Sequence, residues 1–297
     1  MQRIALLALL IFACISMQAQ TPRSNVFLFD VRKASDTLYK LTKPRFLTAF
    51  NARGYNNQPA FFSNNELYIT VQMYGDDQTD LYVLDLDKKT KTKVTETPDG
   101  EFSPARVPDY YSFSAIRQEI NGRDTLLRLW QFPLDRLTNG KPVFKYLKDI
   151  GYYHWLDAQR VAVFGLDKGN YLAICNTQTD DVSPFATNVG RCFMRMPNGN
   201  LAYIQKSQAG DWLLMEKFLN RSGGSDSKKI INTLPGCEDF TVLPDGTFLM
   251  GRGSKLYKFD RYSDQDWEEI ADLRYYNIRN ITRLAVSSDY KLALVAD

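Results

Sequence analysis

The sequence predicts an all-β fold: a six-bladed β-propeller of four-stranded antiparallel blades, the last blade closed by strands from the N-terminus. Three observations carry this. A turn followed by an apolar strand recurs six times, at SNNELYITV, VPDYYSFSA, LDAQRVAVF, MPNGNLAYI, LPDGTFLMG and SSDYKLALV. The middle turn positions 64, 108, 157, 197, 244 and 288 are spaced by 44, 49, 40, 47 and 44 residues, a period suited to one four-stranded blade. The sixth repeat has only two strands, and the missing pair stands at the other end of the chain.

The stretch from Tyr55 to Pro98 shows one unit in full. Leu67, Ile69 and Val71 alternate with Tyr68, Thr70 and Gln72, the period of a half-buried strand. Asn64-Asn65, Gly75-Asp76-Asp77 and Asp87-Lys88-Lys89 are polar turn clusters that separate four runs: 58–63, 66–73, 80–86 and 92–97. One such sheet cannot bury both faces, so it requires copies of itself.

Third runs follow in the first five units: DLYVLDL, LLRLWQF, NYLAICN, WLLMEKF and KLYKFDR. The fourth runs KTKVTET, PVFKYLK, VSPFATN, KKIINTL and WEEIADL are more polar, as an outer edge should be. Blades are expected at about 55–98, 101–147, 150–188, 190–236 and 237–277. The sixth combines 280–297 with 25–50, where Asn25–Val31 reads as a third strand and Leu38–Thr42 as a fourth. Pairing the two ends closes the ring and removes its free edge. Residues 20–297 are expected to form this one domain.

Residues 1–19 read as a signal peptide. Arg3 supplies a positive start, and the apolar stretch Ile4 to Ile15 is too short to span a membrane as a helix. A cut ahead of Gln20 is expected. Ile11-Phe12-Ala13-Cys14 offers a rival reading, a lipid anchor at Cys14. Either route exports the chain to the periplasm or envelope, and no later segment reads as a transmembrane span. Export permits disulfides, but Cys175, Cys192 and Cys237 are odd in number and match no metal motif, so small buried core residues are expected.

Net charge is +3, too small to imply nucleic acid or another polyanion as partner. The basic run Lys88, Lys89, Lys91 and Lys93 falls at a hairpin and reads as a solvated strand edge.

The repeats SNNELYITV, VPDYYSFSA, MPNGNLAYI and LPDGTFLMG, with DLYVLDLDKKTKTKVT, resemble the WD40-like repeats of the TolB-type propeller family over about residues 25–297. The resemblance implies the six-bladed architecture and an envelope context. It does not fix a ligand, because such propellers serve as docking platforms, enzyme covers and enzymes.

Chemistry is expected where the innermost strands enter the ring, since six segments converge on one rim there. The rim candidates are Asn57, Gln58, Glu101, Ser103, Tyr153, His154, Arg191, Glu238, Asp239 and Asn280. His154 is the only histidine, so multi-histidine metal sites are excluded and a Ser–His–Asp triad has one possible base. No Gly-x-Ser-x-Gly elbow occurs. The leading reading is a non-catalytic extracytoplasmic binding or scaffold propeller that engages a protein or glycan partner and needs no cofactor. The alternative is a divalent-cation-dependent hydrolase of lactones or sugar derivatives. In that reading Asn57, Glu101, Glu238, Asp239 and Asn280 supply hard oxygen ligands to an axial Ca2+.

Overall fold

The second strand of each unit is apolar on both sides of the pleat, and it is the strand that buries most completely. In the Glu66–Gln72 strand, residues Leu67 to Val71 are all buried. A strand sealed on both faces must lie between neighbours, with other sheets stacked above and below.

The computed structural model describes residues 21–35, 38–122, 124–136, 138–167, 169–207, 211–220 and 226–297. The leader and Cys14 lie outside the described residues. Among those described, no helix is long and apolar enough to cross a membrane.

The described residues form six four-stranded antiparallel sheets. Blade 1 holds β3 (Tyr55–Phe61), β4 (Glu66–Gln72), β5 (Asp80–Asp85) and β6 (Thr90–Lys93). Blade 2 holds β7 (Gly100–Arg106), β8 (Ser112–Asn121), β9 (Asp124–Pro133) and β10 (Lys141–Pro142). Blade 3 holds β11 (Ile150–Trp155), β12 (Arg160–Gly165), β13 (Tyr171–Asn176) and β14 (Val182–Thr187). Blade 4 holds β15 (Val189–Arg195), β16 (Leu201–Lys206), β17 (Trp212–Lys217) and β18 (Ser227–Asn232). Blade 5 holds β19 (Phe240–Val242), β20 (Phe248–Arg252), β21 (Lys255–Phe259) and β22 (Glu268–Asp272).

Blade 6 is built from both ends of the chain. Its strand order is β2 (Tyr39–Phe46), β1 (Asn25–Lys33), β24 (Lys291–Ala296), β23 (Ile281–Val286). Val26 faces Val295 and Leu28 faces Ala293 in an antiparallel register, as the missing-strand argument requires. These residues are fully buried, packed with Leu67 and Ile69 of blade 1 in one cluster. A polar lock reinforces the join. Asn56, completely buried, donates to the carbonyls of Ser24 (2.8 Å) and Asn51 (2.9 Å), while the Ser24 hydroxyl donates to the Asn56 carbonyl.

Three strands of blade 2 differ from the sequence pattern. The outer strand of blade 2 covers only Lys141–Pro142, although the run to Lys148 reads as strand. The Asp180 carboxylate accepts from the amides of Lys145 (2.7 Å) and Tyr146 (2.8 Å), which pulls that run onto the outer turn of blade 3. Phe144 fills the space between the two blades. In the other direction, β8 and β9 run to ten residues each, and their tip projects beyond the sheet at Gly122, whose φ is +65°.

Candidate binding site on the inlet rim and the axis

Each innermost strand for which the pairing shows a break carries it near the axis. Register shifts fall at Asn57/Ala60 in β3 and Phe102/Ala105 in β7, and further ones interrupt β11, β15 and β23. Such bulges bend a strand and re-aim its side chains. In blades 1 and 2 the bulge residue precedes a proline and takes a positive φ, 52° at Gln58 and 54° at Ser103. Gln58 stitches the two together: its Oε1 accepts from the Ser103 amide and from the Thr70 hydroxyl, both at 2.8 Å.

The innermost strands start earlier than the sequence pattern suggests, so most rim candidates stand on strands and alternate in direction. Gln58, Ser103, Tyr153, His154, Arg191 and Asp239 line one axial cavity of about 390 Å³. Glu238 and Asn280 join Arg191 and Asp239 around an adjacent recess of about 330 Å³ between blades 4, 5 and 6. Asn57 and Glu101 line neither. Asn57 accepts from the Gln58 amide at 2.8 Å. Glu101 is completely buried in blade 2, accepting from Arg117 Nε (3.1 Å) and the Thr97 hydroxyl (2.5 Å). Desolvation raises its pKa against those partners.

Two of the convergent residues serve the scaffold. The Tyr153 hydroxyl donates to the Ser103 carbonyl and lies 2.9 Å from the Ser114 hydroxyl, tying blade 3 to blade 2. His154 Nε2 accepts from the Arg195 amide at 3.0 Å, tying blade 3 to blade 4. Burial, and then the nearby Arg195 charge, lower the His154 pKa to about 4, so the ring is neutral at pH 7. Its acceptor nitrogen is thereby occupied.

The sequence reading names Arg191, Glu238 and Asp239 at the axis but does not single out their central partner, Arg283. Its Nη2 donates to the Tyr152 hydroxyl at 3.0 Å, and its guanidinium lies 5.0 Å over the Tyr152 ring. Nη1 stands 3.8 Å from Asp239, whose Oδ1 accepts from the Leu284 amide at 3.0 Å. Desolvation raises Asp239 to about 6 even though Arg283 and Arg191 oppose the rise. Glu238 is held by Lys206 Nζ at 2.8 Å and by Arg191 Nε at 3.5 Å. The sequence reading places Asn280 at the sixth rim; Asn280 lines the adjacent recess, and it is Arg283, within β23, that lines the axial cavity.

These donors do not fit an axial calcium ion. Asn57 and Glu101 stand apart from the other three, and Glu238 and Asp239 already face cationic side chains. Two guanidiniums near the axis would repel a divalent cation. Among the described residues, no group of three or more His, Cys, Asp or Glu is placed to hold a metal. Among the described residues the cysteines are thiols, with Cys175 and Cys192 buried and Cys237 half-buried.

Two larger recesses adjoin the axis on the inlet face. One, of about 940 Å³, lies between the segment before β1, the β4–β5 turn and the β8–β9 hairpin. Gln72, Gln78, Gln118, Asp76, Asp77 and Tyr74 are among its walls, and Arg53 stacks 4.2 Å from the exposed Tyr74 ring. The second, of about 690 Å³, shares Phe102 and Gln118 with the first, and Gln58 and Tyr152 with the axial cavity. Three neighbouring recesses, each sharing wall residues with the next, are thus set between the rim of blade 1 and the arginines.

No protein-family description matches the chain, and no curated protein does. Solved structures do. A protein from Agrobacterium tumefaciens described as a TolB superposes with a TM-score of 0.65 at 14% identity, covering 93% of this chain and 98% of that one. TolB from Acinetobacter baumannii gives 0.56 at 13% identity, covering 92% of this chain, which spans 64% of that protein's length. An oligogalacturonate lyase from Vibrio parahaemolyticus gives 0.52 at 13% identity, covering 93% and 98%. Identities this low carry the fold and no activity. The chain is thus a six-bladed β-propeller that resembles TolB in architecture.

Proposed function

We propose that this chain is a non-catalytic binding propeller that works outside the cytoplasm and engages a protein or glycan partner through its inlet rim. The observation that carries this reading is the row of three neighbouring recesses between Tyr74, the β8–β9 hairpin and the axis. Concave surfaces with a few convergent polar groups among apolar walls are the usual form of a binding site. Tyr74 and Ile120 are 65% and 63% exposed beside it, in the manner of contact residues awaiting a partner. A hydrolytic role has less support from the site: His154 Nε2 already accepts from the Arg195 amide, and of the expected cation ligands Asn57 and Glu101 stand apart from Glu238, Asp239 and Asn280. Export rests on the apolar leader, with a signal peptide as the preferred form and a lipid anchor at Cys14 as the other.

Site-specific photo-crosslinking in the producing cell tests the reading. A photoreactive residue at Tyr74 or Gln118 should give discrete higher-mass adducts, and one at the exposed outer-strand position Lys229 should not. Adducts from Lys229 alone, or turnover of a lactone or sugar-ester panel by the purified protein, would replace it.

A further inference from the structure

The axial cavity has more positive than negative charge. Its walls include Arg106, Arg191 and Arg283 against the carboxylate of Asp239, and His154 is neutral at pH 7. Neither central guanidinium is closely matched by its carboxylate. Glu238 sits nearer Lys206 (2.8 Å) than Arg191 (3.5 Å), and Arg283 meets Asp239 only at 3.8 Å, beyond hydrogen-bond reach. Arg191 reaches the carbonyl of Thr282, the residue next to Arg283, so the two guanidiniums belong to one neighbourhood. Much of the remaining wall is apolar, contributed by Pro59, Ala60, Pro104, Trp155 and Leu284.

We propose that this cavity binds a small amphipathic carboxylate, its acid group between Arg191 and Arg283 and its apolar body against the prolines and Trp155. The chemistry is that of guanidinium donors in a recess, where a carboxylate gains charge-assisted hydrogen bonds that water screens poorly. A volume of about 390 Å³ suits a small ligand. The acid is either a free metabolite or the end of a peptide, since both present a carboxylate on an apolar body. The proposal rests on the binding reading above, of which it specifies the axial end.

Calorimetric titration of the intact protein tests it with two matched pairs: phenylacetate against phenylacetamide, and Gly-Gly-Phe against its C-terminal amide. In at least one pair the acid should bind about tenfold more tightly than its amide, and its affinity should fall as salt is raised. Preference confined to phenylacetate assigns the site to a free acid, and preference confined to the tripeptide assigns it to a peptide end. Arg283→Gln should weaken the preferred acid about tenfold, with folding checked by circular dichroism; Arg191→Gln is the second variant should the first not fold. Equal binding of acid and amide in both pairs, or no binding of either acid at millimolar concentration, overturns the proposal. Crosslinking at Gln118 without carboxylate preference would overturn this inference alone and leave the binding role standing.

Discussion

Arg283 donates through Nη2 to the phenol of Tyr152 at 3.0 Å, although 131 positions separate them in the chain. Arg283 belongs to blade 6 and Tyr152 to blade 3, so the bond joins opposite sides of the ring. Tyr152→Phe removes the acceptor and keeps the ring under the guanidinium. The expected loss is about 1 kcal/mol in urea unfolding, the usual net value of such a bond. An unchanged midpoint would show that the strut contributes nothing.

His154 and Asp239 give opposite pH dependences. The folded pKa of His154 is about 4, below its ordinary 6.5, so the unfolded chain takes up a proton that the folded chain refuses. Stability from this group is complete above pH 6.5 and is lost as pH falls toward 4. Asp239 is raised from 3.8 to about 6, so the folded chain holds a proton that the unfolded chain has released. That contribution is complete below pH 3.8 and is lost as pH rises through 6. Measured as the melting point at pH 5 minus that at pH 7, His154→Gln should shift the difference upward from wild type. Asp239→Asn should shift it downward. Each shift corresponds to roughly 1–2 kcal/mol over that interval.

The buried Asn56 side chain holds the segment before β1 against blade 1 through Ser24 and Asn51. Asn56→Ala removes the side-chain donor to both carbonyls and one acceptor of the Asn51 amide, which keeps its bond to the Gln72 carbonyl. A loss of about 2–3 kcal/mol is expected, read from the chemical denaturation midpoint. Asn57→Ala, on the half-buried side of the same strand, should cost well under half of that.

Gly251 in β20 lets blade 5 approach blade 6. A Cβ there would lie 2.4 Å from Cγ2 of Ile281 and 2.6 Å from its Cβ, both close to the backbone of β23 and unable to swing away. Gly251→Ala should lower stability by about 2 kcal/mol through overpacking, seen as a fall of several degrees in melting temperature.

The blade plan was legible because it depends on turn spacing and on two-residue alternation, which local sequence records directly. The missing-strand argument works for the same reason: Asn25–Val31 has the pattern of a third strand, followed by a fourth but preceded by no first or second. The axis was less legible. Which face a residue takes is set by strand pairing, so the sequence reading names Asn280 at the sixth rim where Arg283 reaches the axial cavity, and Asn57 where its neighbour Asn56 is the buried, locking residue. Glu101 read as a rim carboxylate, but its partner Arg117 lies on the adjacent strand, and only pairing register brings them together. The long β8–β9 hairpin did leave a signal, Asn121-Gly122 between alternating runs, a dipeptide that favours tight hairpins.

Every residue placed at the axis depends on the ring being shut by β1 against β24. Leu28 and Ala293 face each other across that seam and are both fully buried. The double variant Leu28→Cys with Ala293→Cys, prepared in a background with Cys14, Cys175, Cys192 and Cys237 replaced by alanine, tests the seam directly. Facing residues of adjacent strands lie within disulfide reach. Oxidation of the folded monomer should yield one intrachain crosslink and a higher melting temperature than the reduced form. Thiols that stay reduced in the folded protein, or that pair only between molecules, would contradict the closure and the axial site built upon it.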